Sequence, residues 1–324
     1  MRIVSWNTQY ATTNALSALG QGKHSESEFR AALQQIAALE SDVVAFQEVE
    51  RGQGRSLGLD QPRIIEQEMK AAGMEWTAFA PSFMGWAQGL RLYPDPKVRD
   101  DWPAFGVMLA AREVPRTWKI ARLGKAPVRW VSRGSQGKPA FGETRVLLAA
   151  VLPSGHIVGT THLEIDPPTA KAQARRAFGL LSGLARQGVA AHDGARRSGV
   201  EVPASSTTPQ LARQHDSGPA ILVGDFNLSP GAVKDALNCD AALDAGLGAD
   251  FNYLASGRVN VSARTYPTVN TTANMDQAVL EPGFSPQRII GAGTLPLPVS
   301  DHAAFVLDVS VNPDYADNTD AKAK

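Results

Sequence analysis

The stretch that decides the fold is AILVGDFNLSP, residues 220–230. Five apolar or small residues lead into Asp225, and Asn227 and Pro230 follow closely. A short apolar run of this kind is typical of a buried strand, and a proline in the first turn indicates the start of a helix at Pro230. The stretch therefore predicts a strand, a polar loop and a helix in succession, which is the building unit of α/β proteins.

The same alternation extends along the chain in both directions. A Ser25-x-x-Glu28 capping box predicts a helix whose apolar residues recur on one face. Apolar, β-rich runs predict strands at residues 2–6, 42–49, 106–111, 146–152, 157–162, 275–280 and 303–311. Further helices are predicted at residues 64–72, 169–187 and 230–237, and loops at residues 81–103 and 192–218. We expect an α/β fold.

Length and composition limit the class of protein. The 324 residues, 43% of them hydrophobic, suffice for one large domain or two. Because strand signals continue across both predicted loops, we expect one domain over residues 1–311 and a polar tail over residues 312–324. The longest apolar run has seven residues, too few for a spanning helix. No secretory signal is visible, and the lone Cys239 excludes an internal disulfide. We expect a cytoplasmic protein without stable membrane association.

Charge is balanced overall but not locally. Lys and Arg number 32, as do Asp and Glu, yet residues 112–145 hold nine basic residues against two acidic ones. One interpretation is a solvated hairpin face that only keeps the protein soluble. The other, which we favour, is a track for a phosphate backbone with Trp118 or Trp130 stacking on a base.

Polar side chains follow five of the predicted strands. They are Asn7, Glu48, His162, the pair Asp225 and Asn227, and the pair Asp301 and His302. Taken singly they have plain explanations, such as a turn asparagine, a solvated strand end or a core histidine. Together they predict a site, because ligands of α/β sheets bind where strands end. The oxygen donors among them suit Mg²⁺ or Mn²⁺, and the histidines can move protons or stabilise a phosphoryl oxygen.

The segments that contain these residues resemble a known family. SWNTQ (5–9), FQEVE (46–50), THLEI (161–165), GDFNLSP (224–230) and SDHAAF (300–305) resemble, in order, the motifs of the endonuclease/exonuclease/phosphatase superfamily. The THL motif is similar to that of the deoxyribonuclease I-like branch. The resemblance runs from Ile3 to about Val309. It implies a four-layer α/β sandwich of two mixed β-sheets flanked by helices, and hydrolysis of a P–O bond by a metal-assisted water.

The resemblance also implies a role for each matching residue. Glu48 would be the primary metal ligand, with Asn7 beside it and Asp301 completing the acidic cluster. Asp225 would orient or deprotonate the attacking water. The remaining catalytic residues would be Asn227 and His162, which donate to phosphate or leaving-group oxygens, and His302, which is held by the carboxylate of Asp276.

Two further residues match an E-x-R pair of the family, Glu143 and Arg145, which would orient the site and contact phosphate. The neighbours of Asp276 depart from the family pattern, with Asn274 before it and Gln277 after it. The abasic-site enzymes of the family carry Tyr-x-Pro-Asn in place of THLEI, which speaks against that specialisation.

The sequence thus predicts a divalent-metal-dependent phosphodiester hydrolase, a nuclease acting on DNA or RNA with Mg²⁺ or Mn²⁺. The alternative is a phosphatase or phosphodiesterase acting on a lipid, inositol or nucleotide phosphate. A non-catalytic binding protein on the same fold is a third hypothesis, which the full set of ligands disfavours. We expect a monomer, although no sequence feature decides the oligomeric state.

Overall fold

A computed structural model provides the fold. It describes residues 1–12, 25–87, 91–92, 102–125, 129–133, 136–140, 143–186, 220–237, 241–244, 258–268, 271–281 and 288–311. Two mixed sheets of seven strands each pack face to face, and helices cover the outer face of both. The four-layer sandwich implied by the sequence motifs is confirmed.

The first sheet brings together both ends of the chain. Numbered in chain order, its strands are β1 (Arg2–Asn7), β2 (Val43–Arg51), β3 (Trp76–Gly85), β4 (Arg91–Leu92), β5 (Ala104–Ala111), β15 (Ile289–Leu295) and β16 (Ala304–Val309). They lie in the order β15-β16-β1-β2-β5-β3-β4. Because β1 and β2 are parallel, their carboxyl ends lie at the same edge, and Asn7 and Glu48 come next to each other.

The second sheet is built in the same way. Its strands are β6 (Thr117–Lys125), β9 (Thr144–Val151), β10 (Ile157–His162), β11 (Ala220–Asp225), β12 (Ala241–Asp244), β13 (Val259–Ser262) and β14 (Asp276–Leu280). They lie in the order β12-β13-β14-β11-β10-β9-β6. Parallel pairing of β10 with β11 sets His162 opposite Asp225, and antiparallel pairing of β11 with β14 sets Asp225 opposite Asp276. Two short strands, β7 (Arg129–Arg133) and β8 (Gln136–Ala140), form a separate hairpin.

Helices bury the outer faces of the sheets. They are α1 (Glu26–Ala37), α2 (Gln61–Ala71), α3 (Pro167–Arg186) and α4 (Pro230–Leu237). The capping box predicted for α1 is present, since the Ser25 hydroxyl accepts from the Glu28 amide at 3.2 Å. Residues of α1 and α2 such as Phe29 and Ile65 pack on the first sheet, and those of α3 and α4 pack on the second. Among the described helices, none is long and apolar enough to cross a membrane.

The layer between the sheets is apolar except beneath the site. Branched side chains such as Val107, Leu148 and Ile221 fill it. Near the strand ends, the buried Gln47 donates to the hydroxyls of Ser5 at 3.1 Å and Thr160 at 2.9 Å. This amide joins the two sheets directly, and a buried polar group that is hydrogen-bonded in this way fixes one relative position.

The predicted loop at residues 81–103 is wrong in its first part. Strand β3 continues to Gly85 because Pro81 lies at an irregularity, where its pairing with β5 shifts between Pro81 and Phe83. A proline is tolerated in a strand at such a bulge. The basic stretch at 112–145 becomes the edge strand β6 and the β7–β8 hairpin. The predicted loop at 192–218 and the predicted tail at 312–324 lie outside the described residues.

Candidate active site

The strand ends of both sheets converge on one cluster of polar side chains. Asn7 lies at its centre and donates through Nδ2 to Glu48 Oε1 at 3.0 Å and to Asp225 Oδ2 at 2.8 Å. Asn7 and Asp225 are almost completely buried. A single amide therefore bridges two carboxylates that come from different sheets.

Unusual backbone geometry positions these side chains. Gly224 has φ +147°, and a Cβ there would lie 2.0 Å from the Thr161 carbonyl oxygen, so only glycine fits before Asp225. Glu48 has φ +56° at an irregularity in the β2–β5 pairing, and Asn227 has φ +49°. Non-glycine residues in the left-handed region cluster at functional sites, because the surrounding structure must hold them there.

The carboxylates favour a cation between them. Burial raises the pKa of Glu48 and that of Asp225. The charge of Asp225 also raises the pKa of Glu48, and the charge of Asp276 raises the pKa of Asp225. Glu48 Oε2 is buried and has no hydrogen-bond partner. Ligand atoms of Glu48, His162 and Asp225 all lie within 4.8 Å of one another. An orphaned carboxylate oxygen beside a second buried carboxylate fits a divalent ion, because a hard cation would satisfy both.

Each ring nitrogen of His162 lies next to a hydrogen-bond donor. Its Nδ1 lies 3.2 Å from Arg145 Nη1, and Arg145 is almost completely buried. Burial, and then the charge of Arg145, lowers the pKa of His162 well below its usual value. An arginine can only donate, and we assign the proton of the neutral ring to Nε2 so that Nδ1 accepts from Arg145; the other tautomer would have Nε2 accept from Asn227 Nδ2 instead. The Nε2 atom faces Asp225 Oδ2 at 3.6 Å and Glu48 Oε1 at 3.8 Å.

Asn227 completes a pair of donors with His162. Its Nδ2 donates to the Leu163 carbonyl at 2.9 Å, which fixes the orientation of the amide. The same Nδ2 lies 3.1 Å from His162 Nε2. With the proton assigned to Nε2, His162 and Asn227 direct two N–H groups into the same space, and an oxygen with several lone pairs placed there would accept from both.

His302 is held as a cation on the opposite side of Asp225. Its Nδ1 lies 2.7 Å from Asp276 Oδ2, and both side chains are buried. Burial opposes the charge, but Asp276 outweighs it with help from Asp225 and Asp301, and together they raise the pKa of His302 to about 10. The Nε2 atom of His302 lies 3.8 Å from Asp225 Oδ2, so Asp225 stands between a neutral histidine and a charged one.

Asp301 lies beside His302 at the more open side of the cluster. Its carboxylate is 3.9 Å from His302 Nε2, and its backbone amide donates to Gln9 at 2.9 Å. Burial, partly offset by His302 and reinforced by Glu48, raises the pKa of Asp301 to about 6. The structure thus brings Asp301 into the same acidic cluster as Glu48.

Glu143 and Arg145 join a chain of charges behind His162. Glu143 accepts from Arg91 at 2.9 Å and lies 3.7 Å from Arg145, which in turn lies 3.6 Å from Glu164. Arg145 is directed at His162 instead of at solvent. Its contact with the site runs through His162, as the predicted orienting role requires, and the phosphate contact stays a prediction.

Trp118, one of the two tryptophans expected to contact substrate, is not brought to this cluster. Trp118 pairs with Ala150 at the other end of β9 from Arg145, and its ring packs against Trp76 with centroids 6.2 Å apart. It belongs to the edge of the core between the sheets. Trp130 lies in β7, and its side chain is outside the described part of the structure.

Two neighbours of the cluster, Tyr10 and Tyr266, lie outside the motifs that the sequence reveals. Gln9, Tyr10 and Ala11 have positive φ in succession, at 43°, 58° and 64°, which turns Tyr10 back towards Glu48. Tyr266 packs on His302 with ring centroids 5.0 Å apart. Three consecutive left-handed residues without glycine have no local sequence signature, because only the surrounding fold enforces them.

Comparison with known proteins agrees with this geometry. The model of the Endonuclease/Exonuclease/phosphatase family matches residues 4–302, so the chain belongs to that family. Members of the family generally hydrolyse phosphoesters. No curated protein matches the sequence.

Solved structures share the fold at low sequence identity. An endonuclease/exonuclease/phosphatase from Beutenbergia cavernae DSM 12333 is 17% identical, with a TM-score of 0.55, over 95% of this chain and 71% of that chain. A family protein from Bacteroides thetaiotaomicron is 15% identical, with a TM-score of 0.52, over 95% and 94%. A conserved protein of unknown function from Enterococcus faecalis V583 is 13% identical, with a TM-score of 0.53, over 96% and 99%.

Proposed function

We propose that the protein is a divalent-metal-dependent phosphodiester hydrolase that acts on nucleic acid, DNA or RNA. The observation that carries the proposal is the pair of N–H groups of His162 and Asn227, directed into the same space beside two buried carboxylates. A phosphate oxygen accepts from two donors readily, and the carboxylates would hold the cation that such a reaction needs.

Glu48 would be the main ligand of a Mg²⁺ or Mn²⁺ ion, with Asn7 and Asp301 next to it. Asn7 now turns its NH₂ group to the carboxylates, so binding through its oxygen requires rotation of the amide. When bound, the ion would neutralise charge on the phosphate and favour attack by water. His162 also has a ligand atom within 4.8 Å of those of Glu48 and Asp225, but it is left out of the ligand set because we assign its proton to Nε2.

The side chains of the site would supply the remaining catalytic functions. Asp225, with its pKa raised by burial, is suited to orient the attacking water and to take its proton. His302 supplies a fixed positive charge from one side, and His162 and Asn227 supply neutral donors from the other. Preorganised donors aimed at developing oxyanion charge are worth roughly 10²–10³ in rate each.

A basic edge strand supports a polymeric substrate. Arg116, Lys119 and Lys125 are exposed on β6 or directly before it, and Arg145 joins this strand pair to the site through His162. A row of cations along one edge suits a phosphate backbone, whose affinity is then sensitive to salt.

The test is a substrate panel at about 0.15 M salt. Plasmid DNA, single-stranded DNA and RNA are each incubated with Mg²⁺, Mn²⁺ or EDTA, and Asp225→Asn reports contamination. We expect metal-dependent cutting of at least one polymer that the variant loses. Absence of cutting by the folded protein, together with turnover of a small or lipid phosphoester, would refute the nucleic-acid assignment.

A further inference from the structure

A planar cation is fixed beside the proposed metal site, and no catalytic step uses it. After β2, a short 3₁₀ turn (Gly54–Ser56) brings Arg55 back over the Tyr10 ring, with its guanidinium carbon 3.7 Å from the ring centroid. Its Nε and Nη2 atoms contact Glu50 Oε1 at 2.6 Å and 2.5 Å. The Glu50 side chain is completely buried, so it anchors one edge of the guanidinium.

The Tyr10 ring packs against a pair of phenylalanine rings. It lies 6.2 Å from Phe105, which stacks on Phe83 with centroids 5.4 Å apart and planes at 20°. Phe105 in turn lies 6.4 Å from the His162 ring. The Arg55 guanidinium carbon lies 5.6 Å from the centroid of the same Phe105 ring, so Phe105 joins the platform to His162 of the site.

The contacts of Arg55 leave part of its side chain exposed. About three-tenths of the side chain is exposed, while Tyr10 packs on one face of the guanidinium and Glu50 contacts one edge. The charge is already matched by Glu50, so a phosphate gains little there. A rigid guanidinium backed by an aromatic ring instead favours a planar π system on its free face.

We propose that Tyr10 and Arg55 form a stacking platform for a nucleobase next to the scissile phosphate. This inference rests on the proposed nuclease function and specifies its substrate. A base inside a duplex has neighbours on both faces, so only a base in a single strand or at a frayed end can stack on Arg55. The protein therefore prefers single-stranded nucleic acid or strand ends over intact duplex.

The test compares an intact single-stranded oligonucleotide with matched ones in which an abasic linker replaces the nucleotide on either side of the cleaved bond. The linker keeps every phosphate and removes only the base. For wild-type protein we expect kcat/KM to fall roughly 5- to 100-fold for one of the two linkers, as is typical when one stacked base is lost.

The protein variants are chosen to keep the fold. Arg55→Met alone would leave the buried Glu50 carboxylate without its partner, so the test variant is Glu50→Gln/Arg55→Met and the matched control is Glu50→Gln. The Glu50→Gln control keeps an acceptor for Arg55, so it should still cleave the intact oligonucleotide with a higher kcat/KM than the abasic one. The double variant should cleave the intact and abasic oligonucleotides at the same rate, with circular dichroism confirming that it is folded.

The outcomes separate this inference from the proposed function. Equal kcat/KM for the intact and both abasic oligonucleotides in wild-type protein would overturn the stacking platform while leaving the nuclease in place. So would a double variant that loses the same factor on every substrate, because Arg55 would then contact phosphate or only support the fold. Failure of wild-type protein to cut any oligonucleotide would refute the nuclease function and the platform with it.

Discussion

Replacing Asp276 with asparagine tests the charged state of His302. The pKa of His302 is raised to about 10 from an ordinary 6.5. At about 1.4 kcal/mol for each tenfold change in proton affinity, this difference corresponds to about 5 kcal/mol in favour of the imidazolium. Burial opposes this rise and Asp225 and Asp301 contribute to it, so the figure is the net of several effects, among which Asp276 is the largest that raises the pKa.

In Asp276→Asn the burial of His302 is no longer outweighed, and its pKa falls towards or below the ordinary value. We expect the variant to lose roughly 10²–10³ in rate at about pH 8, as when one preorganised oxyanion donor is removed. The loss should shrink as the pH is lowered and the ring regains its proton. The wild-type rate should show no such dependence on His302 until the pH approaches 10. The measurement is a pH–rate profile of both proteins.

Stability should change with a defined sign. A histidine whose pKa is raised by folding stabilises the protein fully below the unfolded pKa of 6.5, and this contribution is lost as the pH rises through about 10. Removing one partner of a buried ion pair typically costs about 3–5 kcal/mol, so urea unfolding should show that Asp276→Asn is less stable at neutral pH. The difference in the free energy of unfolding between Asp276→Asn and wild type should become smaller towards pH 10.

The control is Asp308→Asn, which breaks a partly exposed ion pair with Arg2 in the first sheet. Exposed pairs are worth about 0–1 kcal/mol, so this variant should keep the wild-type rate, pH profile and stability within that range. The reasoning would be refuted if Asp276→Asn kept both the wild-type rate and its pH profile between about pH 6 and pH 9.

Three further results are expected. Gly224→Ala should destabilise the fold by about 1–3 kcal/mol or more, since its Cβ would meet the Thr161 carbonyl oxygen. Gly179→Ala in α3, where a Cβ meets no atom within 4 Å, should instead stabilise the fold by up to about 1 kcal/mol. Urea unfolding measures both variants, and equal effects on stability would contradict the close approach at Gly224. The affinity of the protein for Mn²⁺, measured by calorimetry, should weaken as the pH falls below about 6, because the Asp301 carboxylate, whose pKa is raised to about 6, becomes protonated. An affinity that stays constant down to pH 5 would show that Asp301 does not contact the ion. Asp225→Asn should lose cleavage by at least roughly 10²-fold without loss of folded structure, and full activity would remove Asp225 from the reaction.

Much of the fold and part of the site follow from the sequence because both rest on local patterns. Apolar runs that end in Asn7, Glu48, His162 and Asp225 define strands with polar ends, and parallel pairing makes those ends meet. The family resemblance added Asp276, whose sequence neighbours differ from the family pattern but whose contact with His302 the structure provides.

What the sequence did not reveal depends on tertiary contacts. The arginine on His162, which decides where the ring carries its proton, is recognisable only once β9 lies beside β10. Because Pro81 lies at a bulge, the sequence predicted a loop where β3 continues to Gly85. The assignment of Trp118 to substrate relied on charge and composition near it, whereas its position on the strand directs it into the core.

The most direct test of the metal-dependent site measures binding and cleavage on the same samples. Protein freed of metal with a chelator is titrated with Mn²⁺, and calorimetry and cutting of a single-stranded oligonucleotide are followed in parallel for wild type, Glu48→Gln and the Asp308→Asn control. We predict that wild type and control regain activity over the range in which they bind the ion, and that Glu48→Gln loses both. Full activity without metal, or wild-type binding and cleavage by Glu48→Gln, would contradict the account.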